Sequence, residues 1–306
     1  MQKHFINTPK DKLTQRKFYS EVEKAIKRTL AYRSIFNYPL NFYQLSTYLI
    51  TDRRIGNKAL RKELKKLEKK GQIKTENNLY TLHGVKNIDW KDRKNSSTSL
   101  IDSHKYVFDS LKKIPWIKFI GITGATAAFN AHANDDIDIF IISQRKRLWI
   151  TRLFTTLILK SLKKYRTDKD PVRKICPNIF IDEDNVEWDK SKQGLYVAHE
   201  ILMMHPLYDK DNTYFKFIKK NSWVFNYLSN CRMDINTVGI DVKNSNASIL
   251  INVIEKFLMK IQLLYMKRKI TEEIATKNII HFNKNDWSHK VLNDYSNILK
   301  KFNFES

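Results

Sequence analysis

Cysteine, glycine and long apolar runs are all scarce in this chain, and each scarcity excludes something. The two cysteines, Cys176 and Cys231, make neither a metal-ligand spacing nor a disulfide framework, so both are expected as free thiols. No stretch reaches the ~18 consecutive apolar residues of a membrane span. Even 249–266 is broken by Asn252, Glu255, Lys256 and Lys260. The first residues, with Lys3, Lys10, Asp11 and Lys12, lack the apolar core of a signal peptide. These absences predict a cytoplasmic protein with no membrane partner. Acidic residues are also the minority, 32 Asp and Glu against 56 Lys and Arg, for a net charge of +24. Such a field draws in polyanions, nucleic acid or nucleotides, but a lysine-rich composition spread along the whole chain reaches the same value without a partner.

What is present is a folded chain: 306 residues, 42% hydrophobic, long enough for two or three cores and without an internal repeat. Two of its 7 glycines, Gly121 and Gly124, fall together near the end of an apolar segment at 116–123 that reads as a strand. Gly124 is followed by Ala125, Thr126, Ala127 and Ala128, the start of a helix. A helix start offers unpaired N–H groups, and glycine lets an anion approach the backbone closely. A dozen residues on, Asp136 and Asp138 open the run Ile137–Ile142 of alternating apolar residues. Side chains alternate along a strand, so the two carboxylates share one face. Like charges held that close resist ionising together unless a cation neutralises them, and oxygen-only ligands suit Mg²⁺ or Mn²⁺.

Strand, Gly124 turn, short helix and Asp-x-Asp in this order resemble the nucleotidyltransferase fold of the DNA polymerase β superfamily. The resemblance covers about 113–184. It implies an α+β, polymerase-β-like core that binds an NTP on Mg²⁺ or Mn²⁺ held by Asp136 and Asp138, with Gly124, Ala125 and Thr126 at the phosphates. Ala125 stands where the family has a serine, and Thr126 is the hydroxyl offered in its place. A third carboxylate is usual on a neighbouring strand. The matching segment, 174–181, puts Asn178 at that place as a metal ligand, with Asp182, of the same parity, as the alternative.

Around this core the periodicity predicts three units, 1–85, 86–190 and 191–306. The first reads as a winged helix-turn-helix: helices at 18–36, 41–50 capped by Asn41, and 57–70, then a hairpin through Glu76, Asn77 and Asn78. Its third helix carries Lys58, Arg61, Lys62, Lys65, Lys66, Lys69 and Lys70, a surface for DNA or RNA phosphates or simply a solvated face. A polar linker is expected at 85–99, a helix at 100–113, and a basic helix at 145–165 with Trp149 and Leu153 in the core and Arg152 facing core or phosphate. Region 191–306 reads as a helical domain, with helices at 196–204, 213–228, 248–267 and 287–302. His199, Glu200 and His205 lack the His-Glu-x-x-His order and read as filler, whereas His132, just before the aspartates, is the better functional histidine. The expected function is metal-dependent transfer of a nucleoside monophosphate from an NTP to an acceptor. The alternative is a nucleic-acid-binding regulator that senses nucleotide without turnover.

Overall fold

The computed structural model describes residues 11–85, 90–231, 249–267, 274–275, 279–281 and 287–304. The fold is mixed α+β. No helix among the described residues is long and apolar enough to cross a membrane.

The first elements are α1 (Lys12–Ser34), β1 (Leu40–Asn41), α2 (Phe42–Thr47), α3 (Asn57–Lys69), β2 (Ile73–Glu76) and β3 (Leu79–Leu82). The three strands form an antiparallel sheet in the order β1-β3-β2. Local chemistry sets the boundaries. Asn41 and Gln44 bond each other's backbone N–H in a capping box that starts α2. Gly71, at φ +65°, follows the last residues of α3 in the left-handed conformation that glycine adopts without penalty. On α3, Ala59, Leu60, Leu64 and Leu67 are buried, and the basic residues lie on the exposed side. Glu63 is buried and bonds Lys66 at 2.6 Å.

Next come α4 (Trp90–Ser103), α5 (Lys105–Leu111), β4 (Ile117–Ile122), α6 (Gly124–Ala127), β5 (Ile137–Ser143), α7 (Leu148–Ser161) and β6 (Ile175–Asp182). The expected polar linker is largely helix. Within α4, Ser97 is buried, donates to the Arg93 carbonyl and accepts from the Ala131 N–H, so a polar residue serves as a packing joint. The remainder is α8 (Leu195–Leu202), β7 (His205–Asp209), α9 (Thr213–Lys220), α10 (Ile249–Lys267), β8 (Ile274–Ala275), β9 (Ile279–His281) and α11 (Trp287–Lys301).

One six-stranded sheet, in the order β7-β4-β5-β6-β9-β8, gathers strands from both regions. Region 191–306 is therefore not a separate helical domain, because β7, β8 and β9 complete this sheet. They are two to five residues long, too short to carry a period of their own. Among the described strands of this sheet, only the neighbours β5 and β6 run parallel, joined by the crossover helix α7.

Both faces of the sheet are covered, and strand alternation sorts the side chains. Ile137, Ile139 and Ile141 of β5 join one core with Trp149 of α7 and Leu100 of α4. Phe140 and Ile142 join the other core with Val197, Ala198 and Ile201 of α8. A Cβ on Gly121 would lie 2.6 Å from Met204 Sδ and 2.8 Å from Phe119 Cε1, so these side chains would have to move to admit one.

Helix α10 is clamped to α7. Glu255 accepts from the N–H groups of Trp149 and Ile150 at 2.7 and 2.9 Å, capping a helix whose own N-cap side chain makes no such bond. Arg152 donates to Gln262 at 2.5 Å, a joint between helices rather than a phosphate contact. The C-terminal helix α11 places Tyr295, Ile298 and Leu299 against the N-terminal core.

Candidate metal centre

Asp136 immediately precedes β5, and Asp138 has the parity of Phe140 and Ile142, so its carboxylate lies on the α8 side of the sheet. In the parallel register Asp138 stands opposite Cys176 on β6. Asp136, Asp138 and Cys176 each offer a ligand atom, and these atoms all lie within 4.8 Å of one another. The Cys176 thiol donates a hydrogen bond to the Asp138 carboxylate.

Asn178 is skipped in the pairing with β5, because it sits in a bulge. Ile139 faces Pro177 and Phe140 faces Ile179, so Asn178 is the extra residue of β6. Beyond it the alternation is inverted: Ile179 and Ile181 share the Asp138 side, and Phe180 has crossed to the other core. Asp182 is carried to the opposite face and to the far end of the strand. There it is buried and accepts from the backbone N–H of Lys146 and of Asp184 at 2.5 and 2.9 Å.

The Gly124 turn meets the aspartates directly. The Thr123 N–H donates to the Asp138 carbonyl at 3.0 Å, tying the end of β4 to the start of β5. Gly124 has φ +65°, and a Cβ there would sit 3.1 Å from Asp138 Oδ2. Glycine is thus dictated twice, by conformation and by the carboxylate pressed against it. Helix α6 is a single turn. Ala125 is exposed, while Thr126 is buried with its hydroxyl 3.4 Å from the Asp136 carbonyl it donates to.

Two further residues belong to this neighbourhood. Glu200 of α8 lies near the Gly124 N–H, so a carboxyl group stands beside the group expected at a phosphate. The Glu200 carboxyl is pushed up to about 7, by burial first, against the pull of Gly124 and Arg33. Arg166, which follows α7, lies with Nε 3.1 Å from Asp136 Oδ2 and also reaches Asp168. Neither residue has a spacing relation to Asp-x-Asp, so tertiary packing alone brings them in. His132 is exposed, with its backbone N–H bonded to Asp135. His199 is a core residue stacked on Tyr32 at 4.2 Å, its pKa pushed down to about 3 by burial.

The electrostatics describe a site short of positive charge. Burial, then Asp136, then Glu200 push the Asp138 carboxyl up to about 7. Burial also raises Asp136, opposed by Arg166. Burial, followed by the two aspartates, raises the Cys176 thiol. Two crowded carboxylates fit a divalent cation, and Asp136 and Asp138 are the residues that would hold it.

Fold and site together define a mixed α+β protein in which the parallel β5–β6 pair carries a two-aspartate, one-cysteine cluster. The chain matches no protein-family model, and no curated protein matches it.

Proposed function

We propose that this protein is a metal-dependent nucleotidyltransferase that moves a nucleoside monophosphate from an NTP to an acceptor hydroxyl, releasing pyrophosphate. One observation carries the reading: Gly124, at the end of one strand, is pressed against Asp138 at the start of the next, so turn and carboxylate pair form one locus. A divalent cation bound there supplies charge neutralisation at the transferred phosphate and lowers the pKa of an attacking hydroxyl.

The chain's own residues do the rest. Asp136 and Asp138 hold the cation, normally Mg²⁺ or Mn²⁺ for carboxylate ligands. Gly124 offers its N–H to an incoming phosphate, with the Glu200 carboxyl beside it. Arg166, paired with Asp136, is the side chain that would meet a phosphate oxygen were a cation to occupy that carboxylate.

The three helices and small sheet at 11–82 match the element order of a winged helix, and the exposed basic side of α3 supports contact with DNA or RNA phosphates. Arg61 is stacked 3.6 Å over Phe42 and Lys66 is paired with Glu63 and Glu23, so Lys58 and Lys65 are the better probes of that surface.

A second reading, a regulator that senses nucleotide without turnover, is favoured by two observations. A thiol stands opposite Asp138, and a second carboxyl, Glu200, crowds the Gly124 N–H where a phosphate is expected. The deciding experiment incubates the full chain with radiolabelled NTPs, Mg²⁺ or Mn²⁺, and cellular RNA or lysate. Label transferred by the wild type and lost in Asp138→Asn supports the transferase. Saturable NTP binding with no labelled product from any acceptor replaces it with the sensor.

A further inference from the structure

The third side chain of the centre is sulfur, and hard and soft ligands select different metals. Carboxylates suit Mg²⁺ and Mn²⁺, whereas thiolate favours Zn²⁺, Co²⁺ and Cd²⁺. Cys176 is no bystander. It faces Asp138 directly in the parallel register, its thiol hydrogen is already directed at the Asp138 carboxylate, and its sulfur lies within 4.8 Å of a carboxylate oxygen of each aspartate. The bulge begins only after this pair, so Cys176 is the β6 residue directly opposite Asp138. Two carboxylates and one thiolate also make three protein ligands with a position left open, the arrangement of a metal that must still accept a substrate atom or water.

We propose that this centre selects a thiophilic divalent cation, of the Zn²⁺ or Co²⁺ type, over Mg²⁺, with the Cys176 thiolate as third ligand beside Asp136 and Asp138. The proposal rests on reading the two aspartates as metal ligands. Binding is a proton-for-metal exchange: the S–H bond breaks, its proton leaves to solvent, and the sulfur donates its electron pair to the cation. The hydrogen bond that the thiol gave to Asp138 is replaced by a cation shared between them. No oxidation state changes.

The test reads metal binding rather than turnover. Metal-free full-length protein is titrated with Co²⁺, and thiolate-to-cobalt charge-transfer absorption is recorded in the near ultraviolet. Thermal melts with Mg²⁺, Mn²⁺ and Zn²⁺ run in parallel. Wild type is expected to develop the band and to be stabilised at lower concentrations of Zn²⁺ than of Mg²⁺. Cys176→Ser should lose the band and at least about tenfold in Co²⁺ affinity, since even an outer partner of a ligand is worth that much. Cys176→Asp should shift the preference toward Mg²⁺ and Mn²⁺. Cys231→Ser, whose sulfur is buried in the core beside α8 and α9, should leave the band intact. Metal-induced stabilisation of the wild type without a charge-transfer band, or an unchanged metal preference in Cys176→Asp, overturns the proposal and leaves the aspartate site standing. Failure of every cation to stabilise the wild type overturns both.

Discussion

The parallel pair β5–β6 carries acids at both of its ends, Asp182 buried and Asp136 and Asp138 half-buried, and their surroundings give them opposite uses. At the far end, Asp182 is met by two backbone N–H groups, from Lys146 and Asp184, which point at it wherever the chain is folded. Those donors are fixed and saturate the carboxylate, so Asp182 holds the turn into α7. At the near end, Asp136 and Asp138 are met by a long side chain, Arg166, by a thiol, and by each other. Those partners are displaceable. A carboxylate bonded by backbone is a structural joint, and one bonded by side chains is a place where another cation can enter.

The comparison breaks most visibly in the response to metal. At a cation concentration of about a hundred times Kd, the wild type should gain about 2.7 kcal/mol of stability. Asp138→Asn should gain nothing, and Asp182→Asn should keep the whole gain, as thermal melts with and without metal will read. Equal responses in all three proteins would make both ends structural.

Without metal the ranking reverses. Asp182→Asn turns an N–H donor toward a backbone N–H, costing about 1–3 kcal/mol, whereas Asp138→Asn removes a crowded charge and should raise the melting temperature. A stabilised Asp182→Asn would end the distinction.

A smaller effect is the slope of stability with pH. The Asp138 carboxyl sits near 7 in the fold against 3.8 when unfolded, so the fold retains a proton that the unfolded chain has released. Metal-free stability should therefore fall as pH rises between those values and level off above them, and Glu200, also near 7, adds in the same direction. Denaturant melts across this window should show a shallower slope for Asp138→Asn. An unchanged slope would mean that Asp138 ionises freely in the fold.

The smallest shift expected is from Arg166→Gln, which removes the cation competing for Asp136. Because that pair is about one-third exposed, the gain in metal affinity should be worth no more than ~1 kcal/mol. Isothermal titration will measure it, and weaker binding would recast Arg166 as a support of the site.

Much of this architecture is legible in the residues themselves. Asn41 with Gln44, the leucines of α3 and Gly71 mark their elements through local chemistry that a linear sequence displays. The alternation around Asp138 likewise fixes which carboxylates share a face. The register of β6 is not legible past Pro177. A bulge adds one residue without altering composition, and that single residue puts Ile179 rather than Asn178 opposite Phe140 and sends Asp182 to the other face. Glu200 and Arg166 were hidden for a different reason: they lie 62 and 28 residues beyond Asp138, and only packing on the sheet brings them near. The strands β7, β8 and β9 escape because two to five residues hold no period.

The seating of α11 on the N-terminal core has a consequence for how the chain comes into being. Tyr295, Ile298, Leu299, Phe302 and Phe304 close an apolar wall whose other members, from Phe18 to Leu82, leave the ribosome first. At about 5–20 residues per second of translation, that wall stays open for roughly ten seconds to a minute before its cover is made. A nascent chain in that interval shows apolar surface to chaperones and to its neighbours on the polysome. A fragment ending near Val85 never receives the cover at all.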